Sequence, residues 1–252
     1  MSADIVIYLF LAGMLCGAIN AIAGGATLVG FPVLISLGLP PNVANASNFL
    51  ATMPGYAAAI PSYAKELRRM KKAIYPILLA SLLGGGLGSV ILVISPSDIF
   101  VQLTPYLLFI ATLLYATGGL INRWVSAFLK TESLQQSKFS NIAFFGFSIY
   151  GGYFGAGLGI IILSILKIVG YRDFHESNAI KNIMITLVSL LSIAIFIAGG
   201  LIAWPQALVM MTGSAIGGYL AAKEAKRVPQ NLLRYAIIVV GFSFSGYYFF
   251  QF

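Results

Sequence analysis

Apolar residues run through this chain in stretches of about twenty or more, the length that crosses a bilayer as helix. Short links between the stretches hold most of the charge. The apolar stretches cover residues 5–37, 42–61, 73–94, 99–121, 139–168, 177–199, 201–222 and 229–251. Two of them, 5–37 and 139–168, are longer than one crossing needs, and both are interrupted by glycines: Gly24-Gly25 in the first, Gly155-Ala156-Gly157 in the second. The pattern predicts helices throughout, with two of them broken near the middle. The interruptions also repeat. At an offset of 132, Gly25 falls on Gly157 and Gly38 on Gly170; one insertion later, Asn45 falls on Asn178 and Asn48 on Lys181. At an offset of 129, Pro76 meets Pro205, Gly84 meets Gly213, Gly88 meets Gly217 and Tyr106 meets Tyr235. Transporters whose binding site lies between internal repeats show this kind of ordered, interrupted symmetry.

Composition supports the membrane reading. Apolar residues make up 59% of the chain, charged residues 9%, and the mean hydropathy is +0.93; a soluble chain carries roughly a quarter charged residues. No alternation of apolar and polar positions points to a membrane barrel. The expected class is therefore an all-α polytopic membrane protein. The N-terminus lacks the basic region of a cleaved signal peptide, and the single cysteine, Cys16, excludes an internal disulfide and a cysteine metal cluster. The net charge of +8 forms no basic stripe with interleaved aromatics, so nucleic acid is not an expected partner.

The positive residues instead orient the chain. Lys65, Arg68, Arg69, Lys71 and Lys72 lie in 62–72; Arg123, Lys130 and Lys138 follow residue 121; Lys223, Lys226 and Arg227 lie in 223–227. The links at 95–98 and near Gly199-Gly200 carry none. Basic links belong in the cytoplasm, the others outside. This places an odd number of crossings between residue 121 and Gly200, where two apolar stretches lie. The count closes if 139–168 is a hairpin that returns to the cytoplasmic side, where Lys167 and Arg172 stand. The same logic makes 5–37 a hairpin dipping in from outside, and puts both termini outside. The expected domains are a first membrane repeat (1–122), a basic cytoplasmic linker (123–138) and a second repeat (139–252) of inverted orientation, each with a broken re-entrant hairpin and three membrane helices. The alternative, eight single crossings in parallel repeats, requires basic loops on both sides.

Candidate chemistry collects at the breaks. A broken helix exposes N–H groups at a half-helix N-terminus, which favours an anion, and irregular backbone at membrane depth must be buried in protein or line a cavity. Thr27 follows the first break as a cap or a donor. Asn20, Asn45, Asn48, Asn178 and Asn182 bring amides to or near the breaks; for Asn45 and Asn48, three apart on one helical face, ligand contact and interhelical bonding both stand. Lys181 lies inside an apolar segment, where a cation is costly and faces a partner or cavity. It either balances an anion, or it snorkels to the cytoplasmic edge or pairs with Glu176. Gly84, Gly85, Gly86, Gly88, Gly213, Gly217 and Gly218 fit close helix packing. His175 fits a solvated edge and Arg234 a snorkelling one. All seven acidic residues map to segment ends or links, which argues against a cation pump and against an intramembrane enzyme. A channel or a non-transporting accessory protein are the remaining alternatives.

The stretch Gly17-x-x-Asn20-x-x-x-Gly24-Gly25, with Phe31-Pro32 and the Asn45-x-x-Asn48 helix, resembles the TauE/SafE family of membrane permeases. Residues 151–157 followed by Ser177-Asn178-Ala179-Ile180-Lys181-Asn182 are similar to its second repeat. The resemblance implies a secondary transporter in the plasma (inner) membrane that moves a small sulfur-containing anion, such as sulfite, sulfoacetate or a related organosulfonate, in the direction of export. It implies alternating access, no cofactor or metal, and the lipid bilayer as surroundings; a homodimer is a further expectation. By resemblance the substrate path runs past Asn20, Gly24, Gly25, Thr27, Asn45, Asn48, Gly155, Gly157, Asn178 and Lys181.

Overall fold

A computed structural model describes residues 1–22, 25–58, 60–128, 138–171, 173–224 and 230–251. Its elements are helices α1 (Ala3–Ile22), α2 (Thr27–Ser36), α3 (Pro41–Ala57), α4 (Ala64–Ile94), α5 (Ser97–Phe128), α6 (Lys138–Tyr153), α7 (Leu158–Val169), α8 (Phe174–Ala198), α9 (Trp204–Glu224) and α10 (Gln230–Gln251), with a 3-10 turn over Ile60–Tyr63. The two expected breaks are the gaps between α1 and α2 and between α6 and α7. Among the described residues, four helices are long and apolar enough to cross a membrane by length and composition: Ala3–Asn20, Ile74–Ile94, Ser97–Leu120 and His175–Ala198.

Two boundaries differ most from expectation: α5 runs on to Phe128, past residue 121, and α4 begins early. The basic stretch 62–72 was expected to be a link, but from Ala64 it is the opening of α4. Lys, Glu, Leu, Arg and Met are all good helix formers, and the segment is amphipathic: Lys65, Arg68 and Arg69 are exposed while Met70 is buried.

The breaks turn the chain back on itself. The Tyr8 hydroxyl near the start of α1 lies 3.5 Å from Ser36 Oγ at the end of α2. Farther in, Cys16 Sγ faces Ala26 O at 3.7 Å. α2 therefore returns along α1. Gly25 and Gly157 hold φ of +91° and +75° at the two breaks, and Gly38 and Gly170 hold +81° and +109° just past α2 and α7. This left-handed backbone is open to glycine and strained for other residues.

Between halves, small residues let backbones meet. Gly13 and Gly17 of α1 lie against the backbone of Met210 and Ser214 of α9, and Gly213 and Gly217 lie against Phe10 and Met14. In α4 and α6, Gly84 and Gly88 lie against Phe145 and Ile149, and Gly152 against Gly85. The second set reproduces the first: Met14–Gly217 corresponds to Ile149–Gly88, and Gly17–Ser214 to Gly152–Gly85. In both sets the numbers rise together, so α1 runs parallel to α9, and α6 parallel to α4. Ser89 Oγ ties three helices at once, with Gly85 O at 2.8 Å, Gly152 O at 3.2 Å and Ser192 Oγ at 2.7 Å.

The interior holds small and hydroxyl residues, including Ser81, Ser89, Ser192 and Ser214, together with aromatic rings. Large apolar side chains face outward: Leu79, Leu83, Leu87, Val90 and Ile94 form an exposed ridge along α4. A soluble fold would bury that ridge; here hydrocarbon is the solvent it suits.

Candidate functional site

The breaks, distant in sequence, share one core. Phe31 of α2 packs edge-on against Phe154 at the second break, with ring centroids 5.3 Å apart. Ala26, Phe31, Phe154 and Ala156 belong to the same buried cluster. α3 and α8 cross beside them through Phe49 and Phe196, whose rings meet at 5.4 Å.

Two small cavities of ≈ 20 Å³ lie at this junction. The first is bounded by Thr27, Phe49, Thr52 and Tyr56 on one side and by Gly155, Leu158 and Ser189 on the other. The second is bounded by Gly25, Gly157, Gly159, Tyr56, Tyr115 and Lys181. Each has room for about one water molecule. A far larger groove, ≈ 760 Å³, opens between the end of α2 and α10, lined by Ile35, Leu39, Phe244 and Tyr248 among others. Its lining is mainly apolar and shares no residue with the two small cavities.

Each site residue can now be placed. Gly25, Thr27, Gly155, Gly157 and Lys181 meet around the two cavities. Gly24 lies outside the described residues. Asn20 bridges backbone: its Oδ1 accepts from Ala26 N–H at 3.2 Å, and its Nδ2 donates to Thr52 O at 3.3 Å. Of the two roles read for Thr27, cap or donor, the cap is not formed: Ala26 precedes α2, Thr27 opens it, and no side chain caps that end. Asn45 Nδ2 donates to Tyr153 O at the end of α6, at 2.9 Å. Among the described residues Asn45 Oδ1 has no partner, and Asn48 has none at either amide atom, although both residues are fully buried. Asn48 lies away from the two cavities, with its Oδ1 against Gly30 and near Cys16.

Lys181 is half-buried seven residues into α8. Its ammonium donates to Asn178 Oδ1 at 2.9 Å. Among the described residues it makes no ion pair, so of the roles read from sequence, the pairing with Glu176 is not formed. A Cβ on Gly159 would touch the Lys181 stem at 3.6 Å, so the glycine leaves room for it.

Several break N–H groups are bonded within the protein. Ala26 N–H goes to Asn20, the Tyr56 hydroxyl engages the Gly25 backbone, and Phe154 and Gly155 N–H both reach Tyr150 O. A ligand here would therefore rely on side chains more than the glycines alone suggest. Tyr56 and Tyr115 supply hydroxyls that sequence reasoning missed, since a tyrosine in an apolar helix carries no signal of the direction it faces.

A family model described as "Sulfite exporter TauE/SafE" matches residues 9–248. A "Probable membrane transporter protein" of Haemophilus influenzae is 29% identical over 96% of this chain and 94% of its own length. "Probable membrane transporter protein ORF9" of Sinorhizobium sp is 24% identical over 94% of this chain and 90% of its own. "Probable membrane transporter protein YfcA" of Escherichia coli K12 is 24% identical over 92% of this chain and 85% of its own. No solved structure matches the chain.

Proposed function

The chain belongs to the sulfite exporter TauE/SafE family, and from that premise we propose that it is a secondary transporter of a small sulfur-containing anion across the plasma membrane, working by alternating access in the direction of export. The observation that carries this reading is the junction itself: two helix breaks, one from each half, close on a water-sized space with Lys181 at its edge. Sulfite or an organosulfonate offers oxygens to Lys181, Tyr56, Tyr115 and Thr27. A space of ≈ 20 Å³ holds neither ligand, so binding requires the halves to separate, as alternating access demands.

The contact pattern supports inverted repeats. α1, α3 and α9 start at one end of the molecule, where α4 and α8 finish: Gly199 packs on Val93, and Ala203 N–H bonds Ser47 Oγ at 2.9 Å. α1 enters from that end and α6 from the opposite one, so the two hairpins dip in from opposite faces. The basic residues Lys65, Arg68, Arg69 and Lys167 share the second end, which is the cytoplasmic one; both termini then lie outside.

Purified protein in proteoliposomes tests the reading. Saturable sulfite or sulfonate flux that is stimulated by anion on the far side, and lost in Lys181→Ala, is expected. Non-saturating flux through the same protein would make it an anion channel, and no flux or binding with any small anion would make it an accessory protein.

A further inference from the structure

We propose that the site is built for a monoanion and discriminates against dianions. This rests on the anion-transport reading above and narrows its substrate class. Among the described residues, Lys181 is the one formal charge that lines either cavity. The described acidic side chains, Asp4, Glu66, Asp98, Asp173 and Glu176, stand in the first turns of α1, α4, α5 and α8 or just before. The position equivalent to Lys181 in the first half is Asn48, a neutral amide, so the internal symmetry does not double the charge.

Helix dipoles do not add to it. The positive end of α2 begins where the negative end of α1 finishes, and α7 begins where α6 finishes; opposed half-charges at one break largely cancel. A monoanion beside Lys181 therefore leaves the junction neutral. A dianion leaves one uncompensated negative charge in a low-dielectric interior, where the loss of a charge partner weakens binding by about a hundredfold or more. Hydrogensulfite and simple alkylsulfonates meet the requirement. Sulfate, fully ionised sulfite and sulfoacetate, whose carboxylate adds a second charge, do not.

The test is a binding and counterflow panel on the intact protein: methanesulfonate, sulfoacetate, sulfate, and sulfite from mildly acidic to mildly alkaline pH. Methanesulfonate is expected to bind about a hundredfold more tightly than sulfoacetate or sulfate. Sulfite affinity should fall as pH rises and hydrogensulfite is lost. Methanesulfonate keeps its charge throughout and controls for titration of the protein. The titratable groups facing Lys181 are Tyr56 of α3 and Tyr115 of α5; α7 contributes Gly157, Gly159, Ile160 and Leu163, and α8 contributes Asn178. Lys181→Arg should keep the preference and Lys181→Gln should lose methanesulfonate binding, in protein that still elutes as a single folded species. Dianions that bind as well as methanesulfonate would overturn this inference alone. Failure of every anion to bind would overturn it together with the transport reading.

Discussion

Asn20 and Asn48 are both buried amides in the first half, and their surroundings assign them opposite tasks. Asn20 satisfies Ala26 N–H and Thr52 O across the break. Asn20→Leu leaves the buried Ala26 N–H unpaired and should lower stability by about 1–3 kcal/mol, read as a fall in the melting temperature of the detergent-solubilised protein. Asn48 satisfies nothing in the described structure, and an unpartnered buried amide is a standing cost. Asn48→Leu, similar in shape, should leave that melting temperature unchanged or raise it while anion flux collapses. Unaltered flux would reduce Asn48 to a packing residue. The sequence offered both amides as equals, because i, i+3 spacing and apolar flanks do not say which polar atom finds a partner. Only the folded neighbours distinguish them.

Helices in this molecule are matched through their glycines. A methyl group at Gly88 would collide with Ile149 O, and one at Gly217 with Met14 O. Both acceptors are backbone and have little freedom to move. Gly88→Ala and Gly217→Ala should each destabilise by about 1–3 kcal/mol through separation of α4 from α6 and α1 from α9. Gly146, also inside α6, has nothing within 4 Å of its would-be Cβ. Gly146→Ala should be neutral or stabilising by up to about 1 kcal/mol, the intrinsic helix preference for alanine. Equal loss at all three positions, measured by thermal unfolding in detergent, would refute the packing account. These elements were legible: the offset of 129 paired Gly84 with Gly213 and Gly88 with Gly217, and the structure gives each pair the same contact. The start of α4 was less so, since a run of basic residues marks a cytoplasmic edge whether it is a loop or an amphipathic helix.

The whole molecule carries an orientation that follows from its ends. Asp98 opens α5 at the end without basic residues, and Lys65 opens α4 at the other; both side chains are exposed. With buried Cys16 as the only native thiol, Asp98→Cys should react with a membrane-impermeant maleimide on intact cells. Lys65→Cys should react only after permeabilisation. The reverse pattern would invert the topology. Hydropathy determined the all-helical membrane class, and the glycine interruptions the two breaks, because the bilayer imposes length and apolarity on local sequence and a reversal needs backbone that glycine adopts readily. Tertiary structure alone decided that the two breaks meet, that α1 packs on α9 and α4 on α6, and that Tyr56 and Tyr115 join Lys181 at the junction. Those facts depend on residues about sixty to two hundred positions apart finding complementary surfaces, and no local pattern records which surface will be chosen.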